Sequence, residues 1–140
     1  MTTSTAAQAS SSVEPLDVVY LYSKLPAQDV ERAQRFYEEK LGLRPYKNVH
    51  GHLYYEVGGV RFVIFPSKGQ ASGTADQLGF LVNDVEREVA KLGARGVAFE
   101  EFDGLTKDGI MDQGFMKAAW FKDSEGNLLS IAERVPIAPG

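Results

Sequence analysis

His50 and His52 are the only histidines in the chain, and one residue separates them. On an extended strand that spacing turns both rings to one face, where they could hold a metal ion or pass a proton to a ligand. Glu56 shares their parity and is the nearest third donor. The plainer use of such a pair is as partly exposed strand residues. There is no cysteine, which removes thiolate metal sites, disulfides and cysteine nucleophiles and fits a reducing, cytoplasmic setting. No Ser or Thr has a His or Asp at nucleophile-like spacing. Asp103, Asp108 and Asp112 fall in a polar, Gly-containing stretch and read as solvated loop acids; Glu100 and Glu101 read as surface charges at a strand end.

These residues need elements to position them. Residues 16–25, rich in Val, Leu and Tyr, predict a strand that Pro26 stops. Asp29 can cap a helix whose apolar face is Val30, Ala33, Phe36, Tyr37 and Leu41, closed by Gly42. Residues 44–50 and 52–57 read as strands, Gly58-Gly59 as a tight hairpin turn, and 60–65 as the returning strand. A Gly, Ser and Lys-containing connector over 66–75 follows. Then come a strand at 78–82, a helix capped by Asp84 that carries Val85, Val89 and Leu92, and strands at 97–102, 116–121 and 128–133. The order β-α-β-β-β occurs twice. Asp29-Val30-Glu31-Arg32 returns as Asp84-Val85-Glu86-Arg87, 55 residues later, each time opening a helix that ends at glycine. A period near half the chain points to a duplicated unit with a concave space between its copies.

Bulk composition bounds the reading. The 140 residues are 44% hydrophobic and 24% charged with net charge −4, ordinary for one globular domain. No basic block suggests nucleic acid, and no apolar run approaches the ~20 residues of a membrane helix. Residues 1–15, mostly Ser, Thr, Ala and Gln, predict a disordered tail before a single domain over 16–136, with modules near 16–66 and 76–134.

Three segments carry a family likeness. They are Asp29-Val30-Glu31-Arg32-Ala33 with Phe36-Tyr37 and Leu41-Gly42-Leu43; Val82-Asn83-Asp84-Val85-Glu86 with Leu92 and Arg95-Gly96-Val97; and Trp120 through Asn127. In this order the chain resembles the vicinal oxygen chelate superfamily, which includes glyoxalase I, fosfomycin-resistance proteins, extradiol dioxygenases and bleomycin-resistance proteins. The resemblance implies an α+β fold of two βαβββ modules forming a half-open mixed sheet around a pocket. It also implies a homodimer with pockets near or across the interface.

Metal-dependent members hold a divalent ion on strands of both modules. Carried onto this sequence, the resemblance puts those positions at Tyr22, Val63, Leu78 and Ser130, none of them a good ligand. Metal: none, and no cofactor, is therefore the expectation. Alternation along the implied strands places Tyr20, Tyr22 and Lys24 on one inward face, with Arg61 and Phe65, Phe80, Trp120 and Ser130 on others. With His50 and His52 they are the candidate ligand-binding residues. Aromatic walls with one or two cations suit a small, partly aromatic molecule. The first reading is thus a metal-free binding protein in the manner of the bleomycin-resistance proteins. The alternatives are a metal-independent isomerase, cyclase or lyase using Tyr22, His50, His52 or a loop Asp, and a metal-dependent lyase or dioxygenase with its ligands elsewhere.

Overall fold

The computed structural model describes residues 12–134; most of the expected tail lies outside that range. Strands β1 (Ser23–Ala27), β2 (Lys47–Val49), β3 (His52–Val57) and β4 (Val60–Pro66) form one four-stranded sheet in the order β1-β4-β3-β2. Strands β5 (Asp76–Leu81), β6 (Met111–Asp112), β7 (Met116–Lys122) and β8 (Leu128–Arg134) form the other in the order β5-β8-β7-β6. Each sheet is mixed: β1 runs parallel to β4 and β5 parallel to β8, while the other neighbours are antiparallel. Helix α1 (Val30–Phe36), continued by a wider π-turn over Tyr37–Leu41, joins β1 to β2, and α2 (Val85–Ala94) follows β5. This is the expected βαβββ unit, twice.

Both helices start as the sequence reading says. The Asp29 carboxylate accepts from the Arg32 amide and the Asp84 carboxylate from the Arg87 amide, each at 3.0 Å. Gly42 ends the first helix in the left-handed conformation. Three expectations need correction. The first strand begins at Ser23 rather than residue 16, because β4 starts at Val60 and turns away through Gly58-Gly59, so residues before Tyr22 have no partner strand. Pro26 lies inside β1 instead of ending it, which an edge strand tolerates. Residues 97–102 do not form a strand. Phe99 makes a single bridge to Phe121, the Glu100 amide bonds the Trp120 carbonyl, and the rest of that edge of β7 is taken by Met111–Asp112.

Alternation along the strands sends Leu25, Ala27, Leu53, Tyr55, Phe62 and Ile64 from the first sheet, and Ala119, Phe121, Leu129 and Ile131 from the second, into one core with the helices. Tyr55 and Phe62 stack at 4.7 Å between ring centres. Leu41 and Leu43, at the end of α1, line a crevice of about 150 Å³ together with Leu92, Phe80, Phe121 and Ile131. The helix-facing sides of the sheets therefore meet inside the chain. Their opposite faces look outward.

The two modules are tied together by the β7–β8 turn. Asp123, 6% exposed, accepts from the amides of Glu125 and Asn127 and from the Tyr37 hydroxyl at 2.7 Å. Burial, then the neighbouring Asp123 carboxylate, raises the Tyr37 pKa well above its usual value. Glu125, 2% exposed, accepts from the Gln28 and Asp29 amides, the Arg32 guanidinium at 2.7 and 2.9 Å, and the Ser124 hydroxyl. Desolvation alone would raise the Glu125 pKa, but the bonds from Arg32, Ser124 and Asp29 outweigh it and leave it lowered. A depressed folded pKa stabilises the native state above the carboxylate's unfolded value, and that contribution is lost as pH falls through the folded value. Glu125→Gln should cost about 1–3 kcal/mol in urea unfolding at neutral pH. The gap should begin to narrow as pH falls below the ordinary carboxylate value of 4.5 and close once it has passed the lowered folded value; a constant gap down to acid unfolding would show that the charge contributes nothing.

Candidate functional site

The outward face of the first sheet is built from the residues between the core positions. Lys24, Val63, Tyr54 and Lys47 stand in one row across β1, β4, β3 and β2. Arg61 and Glu56 form the next row, with Nε and Oε1 3.9 Å apart. Phe65 follows Val63 by two on β4, so it shares the face. The Lys24 ammonium lies 4.6 Å from the Phe65 ring centre and the Lys47 ammonium 4.6 Å from that of Tyr54. Tyr20 and Tyr22 reach the same face from the extended segment before β1. The Arg61 guanidinium lies 4.3 Å from the Tyr20 ring centre, and the two tyrosine rings are 5.9 Å apart. Between that segment and the sheet is an open groove of about 630 Å³, lined by Val19, Tyr20, Leu21, Glu56, Gly59, Val60 and Arg61.

The outward face of the second sheet carries Trp120 opposite Ser130, with Ala118 opposite Ala132 and Lys122 opposite Leu128. Gly79 pairs with Ser130, and a Cβ on Gly79 would come within 3.1 Å of the Ser130 hydroxyl, so the two share this face. The Trp120 indole N–H donates to both Asp76 carboxylate oxygens at 2.9 and 3.1 Å, and Phe102 meets the indole edge-on.

Tyr20, Tyr22, Lys24, Arg61 and Phe65 thus lie together on one outward face, and Trp120 and Ser130 on the other. Phe80 does not join them. A register shift between Asp76 and Leu78 moves the parity of β5 by one residue, so Phe80 and Leu78 pack against the core and Gly79 and Leu81 face outward. His50 sits in the β2–β3 turn with φ 53°, so strand alternation does not carry it to the face of His52. His52 lies at the start of β3 with Nδ1 3.3 Å from the His50 carbonyl. Tyr54, Lys47, Asp76 and Phe102 were not singled out by sequence. Tyr54 was findable, since it shares the parity of His52 and Glu56; Lys47 was not, because its face depends on the β2–β3 register.

The donor set does not fit a metal. Of the positions where the resemblance puts the family's ligands, Tyr22, Val63 and Ser130 face outward, whereas Leu78 packs against the core and Gly79 takes the outward place beside Ser130. That set offers two neutral hydroxyls and no imidazole or carboxylate. Among the described residues no group of three His, Asp or Glu could hold an ion.

The sequence model of the Glyoxalase/Bleomycin resistance protein/Dioxygenase superfamily matches residues 18–131. The chain belongs to this superfamily. Solved structures with the same fold include the fosfomycin resistance protein FosX from Listeria monocytogenes, with TM-score 0.67 and 13% identity over 86% of this chain and 96% of that one. Lactoylglutathione lyase from Agrobacterium tumefaciens gives TM-score 0.63 and 17% identity over 85% and 95%. A glyoxalase/bleomycin resistance protein/dioxygenase from Alicyclobacillus acidocaldarius gives TM-score 0.65 and 19% identity over 89% and 96%. Such identities carry the fold and nothing finer. No curated protein matches the sequence.

Trp120 is the only tryptophan, so its emission reports this superfamily member's second outward face. Asp76→Ala should leave stability within about 0.5 kcal/mol, as for other surface changes. It should also shift the emission spectrum, because the indole N–H then bonds water instead of a carboxylate. An unchanged spectrum would mean that the pair does not form in solution.

Proposed function

We propose that this chain binds a small, partly aromatic molecule on its outward sheet faces without a bound metal, and that a second copy completes the pocket. The observation that carries the reading is the pairing of two features. The face of the first sheet is lined by Tyr20, Tyr22, Tyr54 and Phe65, and the positions where the resemblance puts metal donors hold the hydroxyls of Tyr22 and Ser130, Val63 and Leu78. Stacking and shape suffice to hold such a molecule, and a cation or two orient it. FosX is a resistance protein by its name; capture of a toxic small molecule is the corresponding role here.

Exposure supports the dimer. Each outward face is open in the single chain, and large residues stand uncovered along it: Tyr20 is 48% exposed, Tyr22 47% and Leu81 68%. Val60 and Leu81 also line an open cavity of about 320 Å³ between the modules. Isolated monomers seldom leave that much clustered apolar surface in water. A twofold dimer would set the aromatic face of one first module against the Trp120 face of its partner's second module, closing a cavity around the ligand.

Native mass spectrometry of protein purified without chelator tests all of this at once. The expected species is a dimer free of divalent ions, with an organic adduct in at least part of the population. One stoichiometric divalent ion per chain would overturn the metal-free reading. A monomer would overturn the shared pocket. Leu81→Arg should convert the dimer to monomer while leaving the far-ultraviolet circular dichroism unchanged.

A further inference from the structure

The charges on the first module's outward face narrow the ligand. Although the chain carries a net charge of −4, this face holds Lys24, Lys47 and Arg61 against a single carboxylate, Glu56. Glu56 lies 3.9 Å from Arg61 and the two are side by side on β3 and β4. Among the described residues neither Lys24 nor Lys47 has an acidic partner; each instead lies over an aromatic ring, Phe65 or Tyr54, at 4.6 Å. A ring fixes an ammonium in place but leaves its N–H donors unused.

Their geometry is convergent. Lys24 and Lys47 spring from the two edge strands, about 14 Å apart by the usual strand spacing. Each leans inward over a ring on the neighbouring strand, so the ammonium groups lie above the two central strands, β4 and β3. Val63 lies between them and is 3% exposed, so the stems and rings form a continuous apolar floor with donors at both sides. Arg61, stacked on Tyr20, brings planar N–H donors to the mouth of the adjoining groove.

We infer that the ligand is an aromatic anion: a flat ring system lying over Val63 between the Phe65 and Tyr54 rings, with a carboxylate or similar oxyanion drawn to Lys24 and Lys47. The inference rests on the proposed small-molecule reading of this face and adds the sign of the ligand's charge. Charge-assisted bonds to an oxyanion, formed where rings exclude part of the water, give the anion its advantage over a neutral ligand of the same shape.

Two probes separate the charge from the shape. 1-Anilinonaphthalene-8-sulfonate and N-phenyl-1-naphthylamine share a ring system, and only the first has a sulfonate. In fluorescence titrations of the full chain the sulfonate should bind at least about tenfold more tightly, and the preference should shrink at high salt. The K24Q/K47Q double variant should lose most of that preference while its affinity for the neutral probe stays within about twofold. Lys91→Gln, on α2 and paired with Glu88, should change neither. Equal affinities for the two probes, insensitive to K24Q/K47Q, would overturn the anion assignment while leaving the pocket in place. A sulfonate preference that survives K24Q/K47Q would move the anion site elsewhere and overturn it as well. If neither probe binds and Trp120 emission does not change, the small-molecule reading itself fails.

Discussion

Everything else in the chain depends on two buried carboxylates in one turn. Asp123 closes the β7–β8 turn on itself and holds the Tyr37 hydroxyl. Glu125 takes the amides of Gln28 and Asp29, where α1 begins, and the Arg32 guanidinium. Asn127 completes the tie by donating to the Pro26 carbonyl at 3.1 Å. A buried acid without partners would be costly, but these two are surrounded by donors, so burial becomes specificity for one docking of the modules. With that docking fixed, the helix-facing sides of both sheets close on a shared core. The sites for chemistry are thereby left on the outward faces.

The duplication is real but not symmetric. Lys40 and Arg95 stand 55 residues apart, the period of the repeat. Each donates through its side chain to the other's backbone carbonyl, as a pair on a pseudo-twofold axis must. Away from that axis the modules diverge. The β7–β8 turn is five residues long and reaches α1, whereas its counterpart between β3 and β4 is the two-residue Gly58-Gly59 turn, both glycines with positive φ. The short turn has no carboxylate to offer α2, whose first amide is bonded instead by Glu133 from β8. The space that a longer turn would fill is the open cavity beside Val57, Gly58 and Leu81. One module locks and its copy leaves room.

Legibility followed the range of the forces involved. Caps, hairpin glycines and apolar periodicity are local, so Asp29, Asp84, Gly42 and the Gly58-Gly59 turn could be read directly. The strands with apolar alternation on one face, β7 and β8, were read to within a residue. What failed was set by partners distant in sequence. Residues 16–22 have strand composition, yet no strand lies beside them. Residues 97–102 lost their place on the edge of β7 to Met111–Asp112, whose apolar Met111 is buried there. Phe80 was placed outward because the resemblance put a ligand position at Leu78, two residues away; both side chains pack against the core instead, and Gly79 between them faces outward. On the outward faces, Lys24, Arg61 and Phe65 were placed by alternation from Tyr22 and Val63, positions that the family resemblance supplied, as it did Trp120 and Ser130. Lys47 and Asp76 were not, since each acquires its role from a residue on another strand.

A metal ion and stacked cations are two physically different ways to hold an anion. A divalent ion organises an anionic ligand from one point and needs several carboxylates or imidazoles, which themselves repel other anions until the ion is bound. Tyr22, Val63, Leu78 and Ser130, at the positions where the resemblance puts ligands, carry no such negative charge. Lysine and arginine can then supply the attraction directly, spread over a wider area and oriented by aromatic rings rather than by a coordination shell. On the proposed reading, such a face holds a charged planar molecule without polarising it. Among the described residues it also presents no carboxylate apart from Glu56, whose neighbour Arg61 already engages it. The proposed binding role asks no more of this surface than stacking and charge.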